Sequence, residues 1–346
     1  MVSQNRSRCI LVFLASLVIL VGLIASPASA QYAVTNLVSN QAGKAKHQDP
    51  SLVNAWGMSF FPSGPFWISD NGKGVTTFYD STGKKDGQVT VPPTCSTPIC
   101  AVTGQVANTD TSTTDFVVSQ AGKSGPAAFI FATFEPGTIS GWNPNVNASS
   151  SVVVVNANAW YTGLAMGVNN GAHFLFGADN LNNKVDIYDA TFKLVGSFTD
   201  SKLTGLAVYN VQNINGKLYV TFSDGIPGTK GAVDVFTTAG KFVKTLTKSK
   251  ALVGPWGLAM APRNFGPASG ELLIGNVGNG RINAFNTTTK TLTPLKNAAG
   301  KPIQIDELWA IAFGKGGGMN GKSNQLFFTA GPNQYANGLF GVINFQ

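Results

Sequence analysis

The sequence predicts an all-β fold, a six-bladed β-propeller of four-stranded antiparallel blades whose ring is closed by an N-terminal strand. Three observations carry that prediction: a two-part phrase returns six times, no helical stripe appears, and a lone strand precedes the first copy. The second half of the phrase is a strand, a polar turn and a strand ending in an aromatic. It is clearest as WISDNGKGVTTFYD from Trp67, FGADNLNNKVDIYD from Phe176 and LIGNVGNGRINAFN from Leu273. Composition agrees, since 40 Gly, 17 Pro and only 12% charged residues suit short strands joined by tight turns.

Taken in chain order, residues 1–30 read as a signal peptide. Arg6 and Arg8 form a basic start, Cys9 to Ile24 is almost unbroken apolar sequence, and Pro27-Ala28-Ser29-Ala30 ends in the small-x-small pattern cut by signal peptidase. The apolar run falls short of the roughly 20 residues that span a bilayer, so cleavage after Ala30 is favoured over an anchor and no membrane span is expected after it. Residues 31–346 then form a single propeller domain, secreted or periplasmic and expected to be a monomer.

The lone strand is YAVTNLVS, Tyr32 to Ser39. Six inner-strand phrases follow: NAWGMSFF at Asn54, AVTGQVA at Ala101, YTGLAMGV at Tyr161, YNVQNI at Tyr209, PWGLAMA at Pro255 and LWAIAFG at Leu308. The aromatic column Tyr79, Trp142, Tyr188, Phe236 and Phe285 steps by 63, 46, 48 and 49 residues, so one unit is long. The sixth unit stops at GLFGVINFQ, one strand short, and Tyr32–Ser39 is the strand that completes it. Closure of this kind leaves fewer bare edges. Cys95 and Cys100 lie in the loop PPTCSTPIC; two cysteines alone in an oxidising compartment are expected to pair as a disulfide.

The polar turns resemble the NHL-type propeller repeat. The succession LVNAWGMSFFPSGPFWISDNGKGVTTFYDSTGK, FIFATFEPGTISGWNP, VQNINGKLYVTF, PWGLAMAPRNFGPASGELLIGNVGNGRINAFN and FFTAGPNQYANGLFGVI is similar to an uncharacterised family of exported bacterial six-bladed propellers, some with a C-terminal PEP-CTERM sorting tail. The resemblance spans residues 31–346 and implies a secreted propeller without an assigned reaction. The sequence closes at Gln346 on a strand, GLFGVINFQ, so anchoring by such a tail is not expected.

Chemistry is sparse. Gly316 to Ser323, GGGMNGKS, fits the phosphate-binding loop pattern, but a strand, SNQLFFTAG, follows where that chemistry needs a helix N-terminus. No G-x-S-x-G elbow or H-E-x-x-H helix occurs. The only histidines are His47 and His173; His173 opens a second strand and is expected on the opposite ring face from His47. A net charge of +8 spread over scattered lysines, with no basic stripe interleaved with aromatics, argues against a nucleic-acid partner.

In propellers generally, the loops leading into inner strands and the turns between second and third strands share one face around the channel mouth. Those turns supply Asp70, Asn71, Glu135, Asp179, Asn180, Asp224, Asn276 and Asn333, and the lead-in loops add His47, Asp49, Tyr161, Tyr209, Asp306 and Glu307. Such a ring of oxygens has the donor chemistry of a Ca2+ site at the channel mouth, although Asp and Asn also recur in turns for backbone reasons alone. Trp56, Trp256 and Trp309 recur at inner-strand starts beside small residues, a position that suits blade packing better than a sugar platform. Two functions follow. The first is a binding or scaffold propeller presenting its channel face to an extracytoplasmic protein or polysaccharide. The alternative is a divalent-metal-dependent hydrolase, lactonase-like, or a lyase, acting on a small molecule with Glu135, Asp179 or Asp224 as base.

Overall fold

The computed structural model describes Met1 and residues 31–93, 101–110, 112 and 114–346. The leader 2–30 and the Cys95 and Cys100 pair lie outside the described residues. Six antiparallel sheets stand around a central channel, each inner strand contacting the next and the sixth returning to the first.

Blade I is β3 (Ala55–Ser59), β4 (Phe66–Asp70), β5 (Val75–Tyr79) and β6 (Lys85–Thr90). Blade II is β7 (Val102–Ala107), β10 (Phe129–Thr133), β11 (Thr138–Trp142) and β12 (Val152–Asn156). Between its first two strands sits a hairpin, β8 (Val117–Gln120) and β9 (Lys123–Pro126), which accounts for the long second unit. Blade III is β13 (Tyr161–Asn169), β14 (Ala172–Asp179), β15 (Lys184–Asp189) and β16 (Leu194–Phe198). Blade IV is β17 (Ala207–Ile214), β18 (Lys217–Ser223), β19 (Gly231–Thr237) and β20 (Phe242–Ser249). Blade V is β21 (Pro255–Met260), β22 (Leu272–Asn276), β23 (Ile282–Phe285) and β24 (Leu292–Pro294).

Blade VI is β25 (Leu308–Phe313), β26 (Leu326–Ala330), β27 (Leu339–Phe345) and, from the other end of the chain, β1 (Tyr32–Ser39). β1 pairs antiparallel with β27 from Tyr32 opposite Phe345 to Ser39 opposite Leu339, as the sequence predicts. Tyr32 fastens the seam: its hydroxyl donates to Phe265 O at 2.8 Å and accepts from Ala268 N at 3.0 Å. A two-residue strand, β2 (His47–Gln48), adds a fifth, parallel member outside β1.

Second strands are sandwiched between neighbouring blades. β4, β10, β22 and β26 are buried at every position, which is why FWISD, FIFAT, LLIGN and LFFTA read as almost continuous apolar runs. Outer strands face water, and β16 is exposed along most of its length. Aromatics cement adjacent blades: Trp67 stacks on Phe129 at 3.9 Å, and Phe66 meets Phe327 at 4.3 Å. Of the aromatic column, Tyr79, Tyr188, Phe236 and Phe285 are buried core, whereas Trp142 is half-buried beside Trp67 at 4.9 Å.

Candidate functional site

The channel has two different ends. On the upper face, which carries the turns between second and third strands, three indoles fill it. Trp56 and Trp309 stack at 3.6 Å, and Trp256 meets Trp309 edge-on at 6.0 Å. Trp56 and Trp256 both donate across the channel to Thr162 O, at 3.2 and 2.9 Å, and Trp309 donates to Asn54 Oδ1 at 3.0 Å. Every indole N–H is therefore satisfied while the rings are buried. The small residue after each indole lets inner strands approach: a Cβ on Gly57 would lie 2.3 Å from Thr103 O, and one on Gly257 2.5 Å from Trp309 O. Tyr209, Tyr335, Ile226 and Val277 pack against the same cluster. Burial raises the Tyr209 and Tyr335 hydroxyls above the usual tyrosine range, and nearby Glu307 adds to it.

The upper turns engage mainly the protein itself. Asn71 Nδ2 reaches the carbonyls of Ala101 and Val102 in blade II, at 3.3 Å each, and Asn180 Nδ2 reaches Val208 O of blade IV at 2.8 Å. The recurring Asp-Asn turn is thus a clamp onto the next inner strand. Asp70 is fully buried, and burial holds its carboxyl well above the usual range. Asp179 is also raised by burial, despite hydrogen bonds from Trp160 N and Asn182. It faces a separate side pocket of about 470 Å3 shared with Lys184, Asp186 and Tyr188, away from the channel. There Tyr161 donates to Asp186 Oδ2 at 2.9 Å and meets the Tyr188 hydroxyl, which is pushed up to about 12 by burial first.

Asp224 is exposed and folds onto its own turn. Slight burial raises its carboxyl, but bonds from Thr229 and Lys230 prevail and hold it at about 2. Glu135 is exposed. Asn276 Nδ2 donates to Ala251 O at 2.9 Å. Asp306 Oδ2 accepts from Asn333 N at 3.0 Å, and Glu307 Oε2 from Tyr335 N at 2.8 Å, tying down a left-handed run at Asn333, Gln334 and Tyr335. His47 sits exposed in β2, the outermost strand of its sheet. Asp49 accepts from Tyr79 at 2.7 Å and pairs with Lys85 at 2.8 Å; these contacts outweigh its burial and lower its carboxyl. Of the carboxylates and amides named from sequence, Asp306, Glu307 and Asn333 are brought together at the upper face, beside the indole cluster that holds Tyr209.

The open space lies below the indoles. A funnel of about 990 Å3 opens on the lower face, among the loops between first and second strands. Met58, Met166 and Met260 line it with Phe60, Ile214 and Phe313, interspersed with the amides Gln105, Gln212 and Asn213. Gln105 Nε2 is committed to Gly57 O and Trp67 O, leaving Oε1 buried without a hydrogen bond. Sequence reasoning missed this face because its residues sit inside inner-strand phrases, where each reads as packing. The loop from Gly316 to Ser323 also lies here; Asn320 Nδ2 staples it to Phe61, Pro62 and Gly64 carbonyls at 3.1, 2.8 and 3.2 Å, and β26 follows, not a helix. His173 and Asp110 stand at the lower rim, across the ring from the upper turns.

Comparison with known proteins gives relatives and folds. No family model matches the chain. It is 30% identical to Uncharacterized protein R648 of Acanthamoeba polyphaga mimivirus, over 90% of this chain and 79% of that protein. A second protein of the same virus, L690, is 28% identical over 91% of this chain and 86% of its own length. Among solved structures, virginiamycin B lyase from Staphylococcus aureus superposes with a TM-score of 0.52, at 14% identity, over 91% of this chain and 99% of the lyase. That likeness is one of fold. The chain belongs to the family of protein R648.

Proposed function

We propose that this member of the R648 family is an exported binding protein that receives a peptide segment of an extracytoplasmic partner in the funnel of its lower face. The observation that carries the reading is the funnel itself, about 990 Å3, floored by Trp256 of the indole cluster and walled by methionines and amides. A peptide backbone offers alternating donors and acceptors that the half-buried Gln212 and Asn213 amides of the wall can meet. Thioether side chains adapt to varied partners. A polysaccharide is supported less, because the indoles that would stack on a sugar are buried against one another. Export, to the periplasm or the medium, is supported by the apolar run from Cys9 to Ile24 and the cleavage pattern ending at Ala30.

The test is fluorescence anisotropy with a labelled peptide library. Gln212→Trp, which removes a wall amide and projects a bulky ring into the funnel, is expected to weaken binding at least tenfold while the melting temperature holds. Unchanged peptide binding in that variant sinks the reading. A second reading, a divalent-cation-dependent hydrolase or lyase acting in the channel with Ca2+ or a first-row ion, is favoured by the titratable cluster at the lower rim. It differs by its outcome: turnover of the bound molecule, not its retention.

A further inference from the structure

The lower rim brings together three groups from two blades. Asp110 and Asp115 come from the stretch between β7 and β8 in blade II, and His173 from the start of β14 in blade III. His173 Nδ1 lies 2.8 Å from Asp115 Oδ2 and 3.1 Å from Asp110 Oδ2. These donor atoms all lie within 4.8 Å of one another.

The hydrogen-bond count does not close. One imidazole nitrogen carries at most one hydrogen, so Nδ1 cannot serve two carboxylates. The shorter contact takes it, and Asp110 Oδ2 is left buried without a hydrogen bond on a side chain only 9% exposed. The other Asp110 oxygen accepts from Ser112 N at 3.0 Å, which holds the free one toward His173. Even with His173 protonated, two carboxylates leave the cluster net negative.

We propose that Asp110, Asp115 and His173 form a divalent-metal site on the rim of the funnel, binding a first-row ion such as Mn2+ through one imidazole nitrogen and two carboxylate oxygens. With metal–ligand bonds of about 2.1 Å, adjacent ligand atoms lie about 3.0 Å apart in an octahedron and about 3.4 Å apart in a tetrahedron. The observed 2.8 and 3.1 Å match the octahedral edge. A mixed carboxylate and imidazole set suits such an ion better than Ca2+, which takes oxygen alone. Three positions stay open for water or for a group entering the funnel. Binding uses the Nδ1 lone pair, so the imidazole carries its hydrogen on Nε2 when the ion is held. The site stands apart from the peptide reading and does not depend on what the funnel holds.

The chain, freed of metal with chelator, is titrated with Mn2+ while free ion is followed by electron paramagnetic resonance. One ion per chain is expected, with affinity reduced at least tenfold in Asp110→Asn and in His173→Gln. The alternative, His173 simply hydrogen-bonded to Asp115 with no ion held, gives no saturable binding of Mn2+, Co2+ or Zn2+ below about 1 mM, and that result overturns the proposal. Equal binding by wild type and an Asp110→Asn, Asp115→Asn double variant overturns it too. Should the variants lose their fold by circular dichroism, wild type decides: loss of the free Mn2+ signal to one ion per chain, reversed by competing Zn2+, supports the site, and an undiminished free-ion signal refutes it. Peptide binding repeated in chelator keeps the funnel reading separately testable.

Discussion

Replacing Asp234 by Asn should stabilise the protein at alkaline pH and not at acid pH. Asp234 lies in β19 opposite Thr245 of β20, fully buried, with neither carboxylate oxygen accepting a hydrogen bond. Burial is the largest cause of its displacement; Asp200 adds to it, Thr245 and Lys248 oppose it, and the carboxyl is raised from 3.8 to about 7. The folded chain therefore holds a proton that the unfolded chain has released. As pH climbs from about 4 through about 7, wild type loses stability by up to ~4 kcal/mol, and above that the penalty is constant. Asn keeps the shape and cannot ionise, so the variant lacks this slope. Urea unfolding at pH 4.5 and pH 8 measures both proteins. The gap should widen toward pH 8 by as much as ~4 kcal/mol, or up to about 8 °C in melting temperature for a chain of this size. A gap equal at the two pH values refutes the reasoning.

Three further outcomes follow from the packing. Trp309→Ala removes a fully buried indole from the channel floor; a loss of about 3–5 kcal/mol is expected, together with acrylamide access to Trp56 and Trp256. Asn180→Ala strips Val208 O of its donor and should cost about 1–3 kcal/mol by urea midpoint, whereas a change under about 0.3 kcal/mol would show that the clamp is ornamental. Leu37→Asp places a charge in the buried seam of β1; hydrogen exchange should accelerate across residues 32–39 and 339–345 first, and uniform acceleration would deny the seam its separate identity.

The architecture was legible because repetition exposes it. The orphan run at Tyr32 and the missing strand after Leu339 pointed to each other across the whole chain, and pairing places them side by side. The packing role of the tryptophans was legible too, since Gly57 and Gly257 beside them announce close approach. What stayed hidden is convergence. Nothing local says that Trp56 and Trp256 share one carbonyl acceptor, or that Asn71 and Asn180 point at the next blade instead of at solvent. His173 and Asp115 stand 58 residues apart, linked only by the way blade II's inserted stretch meets blade III. A repeat reports what every blade shares, and this contact belongs to one junction.

Because Tyr32 lies opposite Phe345 in an antiparallel pair, the two ends of the ring leave from the same corner. Gln346 N even reaches Gln31 O at 2.9 Å. A pull between the ends would load the ladder one rung at a time, like a zipper, instead of shearing all its rungs together. The ring is therefore mechanically weakest along the seam that makes it a ring. Joining the ends with a short linker and cutting at another surface turn should leave the same six blades with a different first residue, and with the seam no longer the place where force begins.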